Sequence, residues 1–339
     1  MNINKENMSE IEKLFQVFKT KHGHYFEFIS VDTWYLMSDL VIDAKYRRGN
    51  NFYKYTDEIK KLKTKKNPII CVKTDLLYDY IDVLSEIEFQ YVLITCSNDD
   101  HCLPTSNNWN IMNDEEVKIA ETNKMKFEKF LSSPNILKWF LKNPSISHPK
   151  MQLLPISLKS QWKTTRWLGE DQTENNRIFK KYCLQPEKNL RNSDHKKYLL
   201  YFNYANTTTN PFFFKHKGQR ILCKNILISK NFKWIEPKPF EEYISNMHMY
   251  KFCVCCNGRG IDTHRVYEAI HCGTIPIVIK SHFDNFYNDL PVLIVDSWEN
   301  INEVFLEKKY LEMKDKIYNF DKLFPKYWFE MIHSSFYQS

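Results

Sequence analysis

Residues 250–279, YKFCVCCNGRGIDTHRVYEAIHCGTIPIVI, decide the fold of this chain. The stretch opens with an apolar run, passes through a glycine-flanked turn at 257–261 and continues with helical spacing over 262–272. Gly273 stands where that helix is expected to end, and a second apolar run follows at 274–280. An apolar strand, a tight turn, a helix and another apolar strand predict a βαβ unit with parallel strands.

The turn and the start of this helix carry groups suited to a phosphate. Gly258 and Gly260 allow a tight turn and a close approach of the backbone to a ligand. Asp262 is a good N-cap residue for the helix, whose first N–H groups attract anions. Arg265, in the first turn, adds a bidentate phosphate partner, and Glu268 on the same face can accept hydrogen bonds from both ribose hydroxyls. The spacing by itself is equally typical of an ordinary surface Arg–Glu pair.

The first half of the chain also alternates between strands and helices. Strands predicted at 68–73 and 89–95 flank a helix at 75–87, which makes a second βαβ unit. The second strand runs into a polar loop at 96–101, and ligands of parallel sheets bind beyond such carboxyl ends.

Further elements complete two lobes of similar architecture. The pattern predicts helices at 115–131, 220–227 and 240–249 and strands at 198–204 and 291–295. A length of 339 residues fits two domains at about 150 residues each. The expected division is a first lobe at 1–165, a helical connection at 166–195, a second lobe at 196–318 and a C-terminal tail at 319–339 that packs back on the first lobe.

The composition of the chain indicates which kind of ligand and which cellular compartment to expect. A formal net charge of +7 suits an acidic ligand such as a nucleotide diphosphate, whereas the lysines are too dispersed for a nucleic-acid partner. Nine cysteines, odd in number and irregular in spacing, favour buried free thiols in a reducing compartment. No signal peptide and no membrane span are expected, so a soluble protein of the cytoplasm is predicted.

The stretch at 257–278 resembles the nucleotide-sugar lobe of the exostosin family and its viral and protist relatives. The resemblance rests on the pattern N-G-x-G-x-D-x-H-R-x-x-E-A-x-x-x-G-x-I-P-I-V and continues through Asp284, Phe286-Tyr287, the run DLPVLIV at 289–295 and Trp298. Weaker similarity lies upstream, at 72–77, 93–99, 139–156 and 201–210.

This resemblance implies a GT-B fold, in which two Rossmann-like lobes with parallel sheets face a cleft. It implies a glycosyltransferase that moves a sugar from a nucleotide diphosphate sugar, with UDP as the expected carrier, to a glycan or glycoprotein acceptor. The donor would bind in the second lobe and the acceptor in the first, and a viral member would act in the host cytoplasm. The residues that this match assigns to the donor are Arg220, with Lys215 as its alternative, and Asn257, Gly258, Gly260, His264, Arg265 and Glu268.

An inverting transfer needs a base that deprotonates the acceptor hydroxyl. The family often has His-Asn-Ser-Asp at the loop where this chain has Cys96-Ser97-Asn98-Asp99-Asp100, so both Asp99 and Asp100 are candidates. No D-x-D pattern of a metal-dependent transferase occurs at this loop, and a helix start with Arg265 can stabilise the leaving group. The enzyme is therefore expected to require no metal or other cofactor.

Two alternatives remain open at this point. One is a fucosyltransferase-like GT-B enzyme with a GDP donor, against which the DLPVLIV run argues. The other is a non-catalytic module that binds a nucleotide or glycan and has lost its base, since the loop before Asp99 departs from the family pattern.

Overall fold

The computed structural model describes residues 5–22, 28–29, 31–43, 51–96, 125–144, 148–158, 173–204, 219–258 and 260–337. The chain packs into two units, Met1–Pro155 with Phe324–Ser339 and Ile156–Leu323. The first contains a five-stranded sheet and the second a four-stranded sheet. All strand pairs are parallel, which confirms the predicted α/β class and is compatible with two Rossmann-like lobes.

In the first unit, the strands pair in the order in which they follow one another along the chain. These strands are β1 (Leu40–Ile42), β2 (Ile69–Lys73), β3 (Tyr91–Cys96), β4 (Ile136–Leu141) and β5 (Met151–Leu153). The helices are α1 (Lys5–His22), α2 (Val31–Leu36), α3 (Asn51–Lys61), α4 (Leu77–Ser85), the described part of α5 (125–132) and α13 (Pro325–Ser334).

Both faces of the first sheet are buried, as a parallel sheet requires. Ile70 and Val72 of β2 pack into a cluster with apolar side chains of α3, α4 and α5. Ile69 and Cys71 alternate with them and are buried on the other face. This burial on two sides explains why β2 and β3 are continuous apolar runs in the sequence.

The two ends of the chain meet in the first unit. Helix α13 packs against α1, where the rings of Phe15 and Phe329 lie 5.3 Å apart. Trp328 also contacts Trp34, at 6.1 Å between ring centroids. The sequence pattern predicts the return of the C-terminal tail but does not predict α1 or the short strand β1.

In the second unit, the strands again pair in chain order. They are β6 (Tyr198–Tyr201), β7 (Tyr250–Val254), β8 (Ile275–Ile279) and β9 (Leu293–Val295). The helices are α6 (Thr173–Tyr182), α7 (Pro186–Arg191), α8 (Gln219–Ser229), α9 (Phe240–Met247), α10 (His264–His271), α11 (Asp284–Tyr287) and α12 (Glu303–Met313).

The division of the chain differs from the expected one. The first unit ends at Pro155 rather than at residue 165. The expected helical connection at 166–195 supplies α6 and α7, which belong to the second unit because α6 packs on α9 and α7 packs on α10. The tail returns to the first unit from Phe324 onward. Amphipathic spacing predicts such helices but does not indicate which sheet they cover.

The eight described cysteines are free and buried, as their apolar sequence neighbours predict. They are Cys71, Cys96, Cys183, Cys223, Cys253, Cys255, Cys256 and Cys272. Among the helices that the structure describes, none is long and apolar enough to cross a membrane.

Candidate functional site

The candidate site lies in the second unit, where the carboxyl ends of β6 and β7 meet the start of α10. The Gly258 amide donates to the Gly260 carbonyl at 3.0 Å, which closes the tight turn predicted from the glycines. Helix α10 begins at His264, immediately after this turn, and its first N–H groups lie at this edge of the sheet. The geometry therefore matches a helix start placed for an anion.

The guanidinium of Arg265 is fixed by contacts with three parts of the unit. Its Nε donates to the Val254 carbonyl at 2.9 Å, at the end of β7. One terminal nitrogen donates to the Asn203 side-chain oxygen at 2.7 Å, and the other lies 3.3 Å from the Tyr243 hydroxyl. Arg265 is half-buried. Its orientation at the sheet edge is thus set before any ligand arrives.

Glu268 is buried and is joined to Arg265 through Tyr243. The Tyr243 hydroxyl donates to Glu268 Oε2 at 2.6 Å and accepts from Arg265. The two residues are therefore not an exposed pair on a helix surface. Burial, the largest influence, raises the pKa of Tyr243 well above its usual range, so the hydroxyl stays protonated and remains a donor to the carboxylate.

A second arginine lies at the same edge. Arg220 donates from Nε to the Asn257 carbonyl at 2.9 Å, and its Nη2 would lie 3.2 Å from a Cβ at Gly258. Burial lowers the pKa of Arg220, and the positive charge of Arg265 is a further influence in the same direction. Two guanidinium groups that interact in this way attract a ligand with more than one negative charge.

The structure brings together most of the donor residues named from the sequence. Arg220 contacts Asn257 and Gly258, and Arg265 is linked to Glu268 through Tyr243. The two groups are related by the interaction between the charges of Arg220 and Arg265. His264 lies at the start of α10, and its Nδ1 lies 2.7 Å from the carbonyl of Ser157. The candidate bases Asp99 and Asp100 and the alternative Lys215 lie outside the described residues.

Asp262 does not cap the helix, contrary to the prediction. The N-cap is Thr263, which makes no side-chain cap hydrogen bond. The Asp262 carboxylate is buried and accepts from the hydroxyls of Tyr267 and Tyr287, both at 2.7 Å, and from the Ile156 amide at 2.9 Å. These three donors, of which Tyr267 belongs to α10 itself and the other two to distant segments, satisfy the hydrogen-bonding needs of the carboxylate without a cap.

Two residues of the site, Asn203 and Tyr243, are not predicted from the sequence. Asn203 follows β6, and its position after a strand could have indicated it, since ligands bind beyond carboxyl ends. Tyr243 lies on α9, where its helical spacing predicts only a core position. No local pattern indicates that its hydroxyl joins Arg265 to Glu268.

The arrangement provides a helix start, two arginines and a buried carboxylate at one end of a parallel sheet. It can hold an anion with a polyhydroxylated group beside it. Within the described residues, no group of three or more His, Cys, Asp or Glu side chains is placed to hold a metal ion. No model of a known protein family matches this chain.

Proposed function

We propose that this protein is a glycosyltransferase that transfers a sugar from a nucleotide diphosphate sugar to a hydroxyl of a glycan acceptor. Its second unit would be the donor lobe of a GT-B enzyme. The observation that carries this proposal is the pair of arginines before and in α10: Arg220 contacts the glycine turn, Arg265 contacts the end of β7, and their charges interact. UDP is the carrier that we propose, on the strength of the sequence resemblance.

The two arginines suit a diphosphate for a geometric reason. A guanidinium has five N–H donors in a planar fork, and the contacts of Arg265 given above use three of them. Because these contacts hold the fork in place, little side-chain entropy is lost when a phosphate binds. The start of α10 adds backbone donors and a partial positive charge.

Glu268 would bind the ribose next to the diphosphate. Its Oε2 accepts from Tyr243, and a carboxylate has further lone pairs that can accept from ribose hydroxyls. The role agrees with its position one turn into α10, on the face that carries Arg265.

The proposed reaction is an inverting displacement. A carboxylate, that of Asp99 or Asp100, would take the proton of the acceptor hydroxyl as this oxygen attacks the anomeric carbon. The bond to the diphosphate breaks in the same step, and Arg265, Arg220 and the start of α10 would stabilise the negative charge that develops there. This scheme requires no metal ion.

Calorimetry with UDP tests the phosphate site. Arg265→Ala should weaken UDP binding at least about tenfold, because a charge-assisted bidentate partner contributes roughly 1.5–3 kcal/mol. Arg191→Ala is the matched control, since Arg191 is an exposed arginine of the same unit that pairs with Glu187 at 2.7 Å. Circular dichroism would show whether Arg265→Ala and Arg191→Ala are folded. If folded Arg265→Ala binds UDP as tightly as wild type does, the proposal is contradicted.

Transfer assays test the chemical step. Asp99→Asn should bind UDP like wild type and lose both sugar transfer and donor hydrolysis, because the amide is no base. If Asp100→Asn is the inactive variant instead, Asp100 is the base. A wild type that binds UDP and neither transfers nor hydrolyses any nucleotide sugar would be a binding module, and preferential binding of GDP would favour the fucosyltransferase-like alternative.

A further inference from the structure

Three aromatic residues form a cluster beside the carboxyl end of β6. Phe202 and Tyr204 follow this strand, and Trp234 comes from the segment between α8 and α9. The Trp234 ring meets the rings of Phe202 and Tyr204 edge to face, with centroids 5.0 and 5.3 Å away. We call these three residues the aromatic corner.

The aromatic corner is held in place by the backbone and by a lysine. The Ile235 amide donates to the Phe202 carbonyl at 3.0 Å, which fixes the segment that carries Trp234 to the end of the strand. The ammonium of Lys224 lies 3.9 Å from the centre of the Trp234 ring, a cation–π contact. Phe202 and Tyr204 are buried, whereas Trp234 is only half-buried, so Trp234 is the member with the most accessible ring.

The aromatic corner adjoins the two arginines. The Tyr204 hydroxyl donates to the Arg220 carbonyl at 2.8 Å, and the guanidinium carbon of Arg220 lies 5.8 Å from the centre of the Tyr204 ring. Arg220 in turn reaches the glycine turn through Asn257. A single ring, that of Tyr204, therefore lies between Trp234 and the guanidinium of Arg220.

We propose that Trp234 is the surface on which the base of the bound nucleotide stacks, an inference that rests on the proposed donor site. A nucleobase presents a flat π face and no charge, so it needs an accessible ring near the phosphate site. Trp234 is the least buried ring of the aromatic corner and is one ring away from Arg220, and Phe202 and Tyr204 pack against it. The site at this edge of the sheet would then bind a nucleoside diphosphate in preference to a diphosphate that has no base.

The test compares ligands with and without a base. Calorimetry would measure UDP and inorganic pyrophosphate against wild type, Trp234→Ala and Trp234→Phe. Because Trp234→Ala removes the ring on which the base stacks, it should weaken UDP binding about tenfold and leave pyrophosphate binding within about twofold. Trp234→Phe should retain part of the UDP affinity, because it retains a smaller ring.

Tryptophan fluorescence gives a second measurement. UDP should quench the emission of wild type and of Trp298→Phe, which removes a buried tryptophan of the same unit, but should not quench Trp234→Phe.

Several outcomes would overturn the inference. Equal loss of UDP and pyrophosphate binding in Trp234→Ala would show that Trp234 only supports the fold. If wild type binds UDP and pyrophosphate with equal affinity, the proposed base subsite is contradicted, whereas the proposed phosphate site is not. Failure of wild type to bind either ligand would contradict the proposed function as well.

Discussion

At the scale of single residues, Tyr243 links Arg265 to Glu268 through hydrogen bonds of its hydroxyl group. Its hydroxyl lies 2.6 Å from Glu268 Oε2 and 3.3 Å from Arg265. Tyr243→Phe should lower the free energy of unfolding by roughly 1–3 kcal/mol, because a buried carboxylate loses a donor. Urea denaturation followed by circular dichroism measures the change.

The matched control for that variant is Tyr318→Phe. The Tyr318 hydroxyl donates to the Met313 carbonyl at 2.9 Å, a contact between neutral groups. Its loss should lower the free energy of unfolding by about 1 kcal/mol or less. A Tyr243→Phe protein as stable as wild type would show that the link between Glu268 and Arg265 does not stabilise the fold.

At the scale of elements, the junction between α10 and β8 allows no side chain at Gly273. This residue has a φ of 66°, and a Cβ there would lie 2.1 Å from the backbone carbon of Asn189 in α7. Gly273→Ala should therefore destabilise the second unit by at least roughly 2–4 kcal/mol, through the left-handed backbone and the clash together. Thermal unfolding would show the loss, and an unchanged melting temperature would contradict this close packing.

Gly258→Ala is the informative comparison, because the neighbour there is a side chain. A Cβ at Gly258 would lie 3.2 Å from Arg220 Nη2, which can shift by a few tenths of an ångström. We expect stability within about 1 kcal/mol of wild type. UDP affinity should fall several-fold nonetheless, since Arg220 is displaced from the proposed phosphate site. Full UDP affinity in a folded Gly258→Ala protein would indicate that Arg220 does not contact the ligand.

At the scale of the whole molecule, each unit contains a histidine that burial keeps uncharged. Burial lowers the pKa of His271 in the second unit and of His333 in the first from 6.5 to about 4. The unfolded chain then binds protons that the folded chain does not between pH 6.5 and about 4. Stability should be greatest above pH 6.5 and should fall by up to about 3 kcal/mol per histidine as the pH decreases to 4.

Melting temperatures between pH 4 and 8 check this dependence. His271→Gln and His333→Gln should each flatten the profile on the acid side, because glutamine takes up no proton. His195→Gln is the control, since that side chain is exposed. If the melting temperatures of the two variants fall with decreasing pH as steeply as that of wild type, His271 and His333 are not the cause of the acid destabilisation.

Local patterns predicted the elements around the site well. The helical spacing and Gly273 place the end of α10 correctly, and the apolar runs on either side match β7 and β8. Such features are predictable because they depend on residues a few positions apart. The strand β1 was not predicted, because three residues are too few to show a period.

The sequence by itself determined the α/β class, the strand–turn–helix–strand unit and the place of the two phosphate-binding candidates Gly258 and Arg265, since spacing and glycine conformation act locally. Only the tertiary structure decided that Asp262 serves Tyr267, Tyr287 and Ile156 instead of capping a helix. It likewise decided that Arg220 approaches the glycine turn. A charged group near a helix start forms hydrogen bonds with the donors that tertiary packing places nearest to it. For Asp262, these donors come mainly from other segments of the chain.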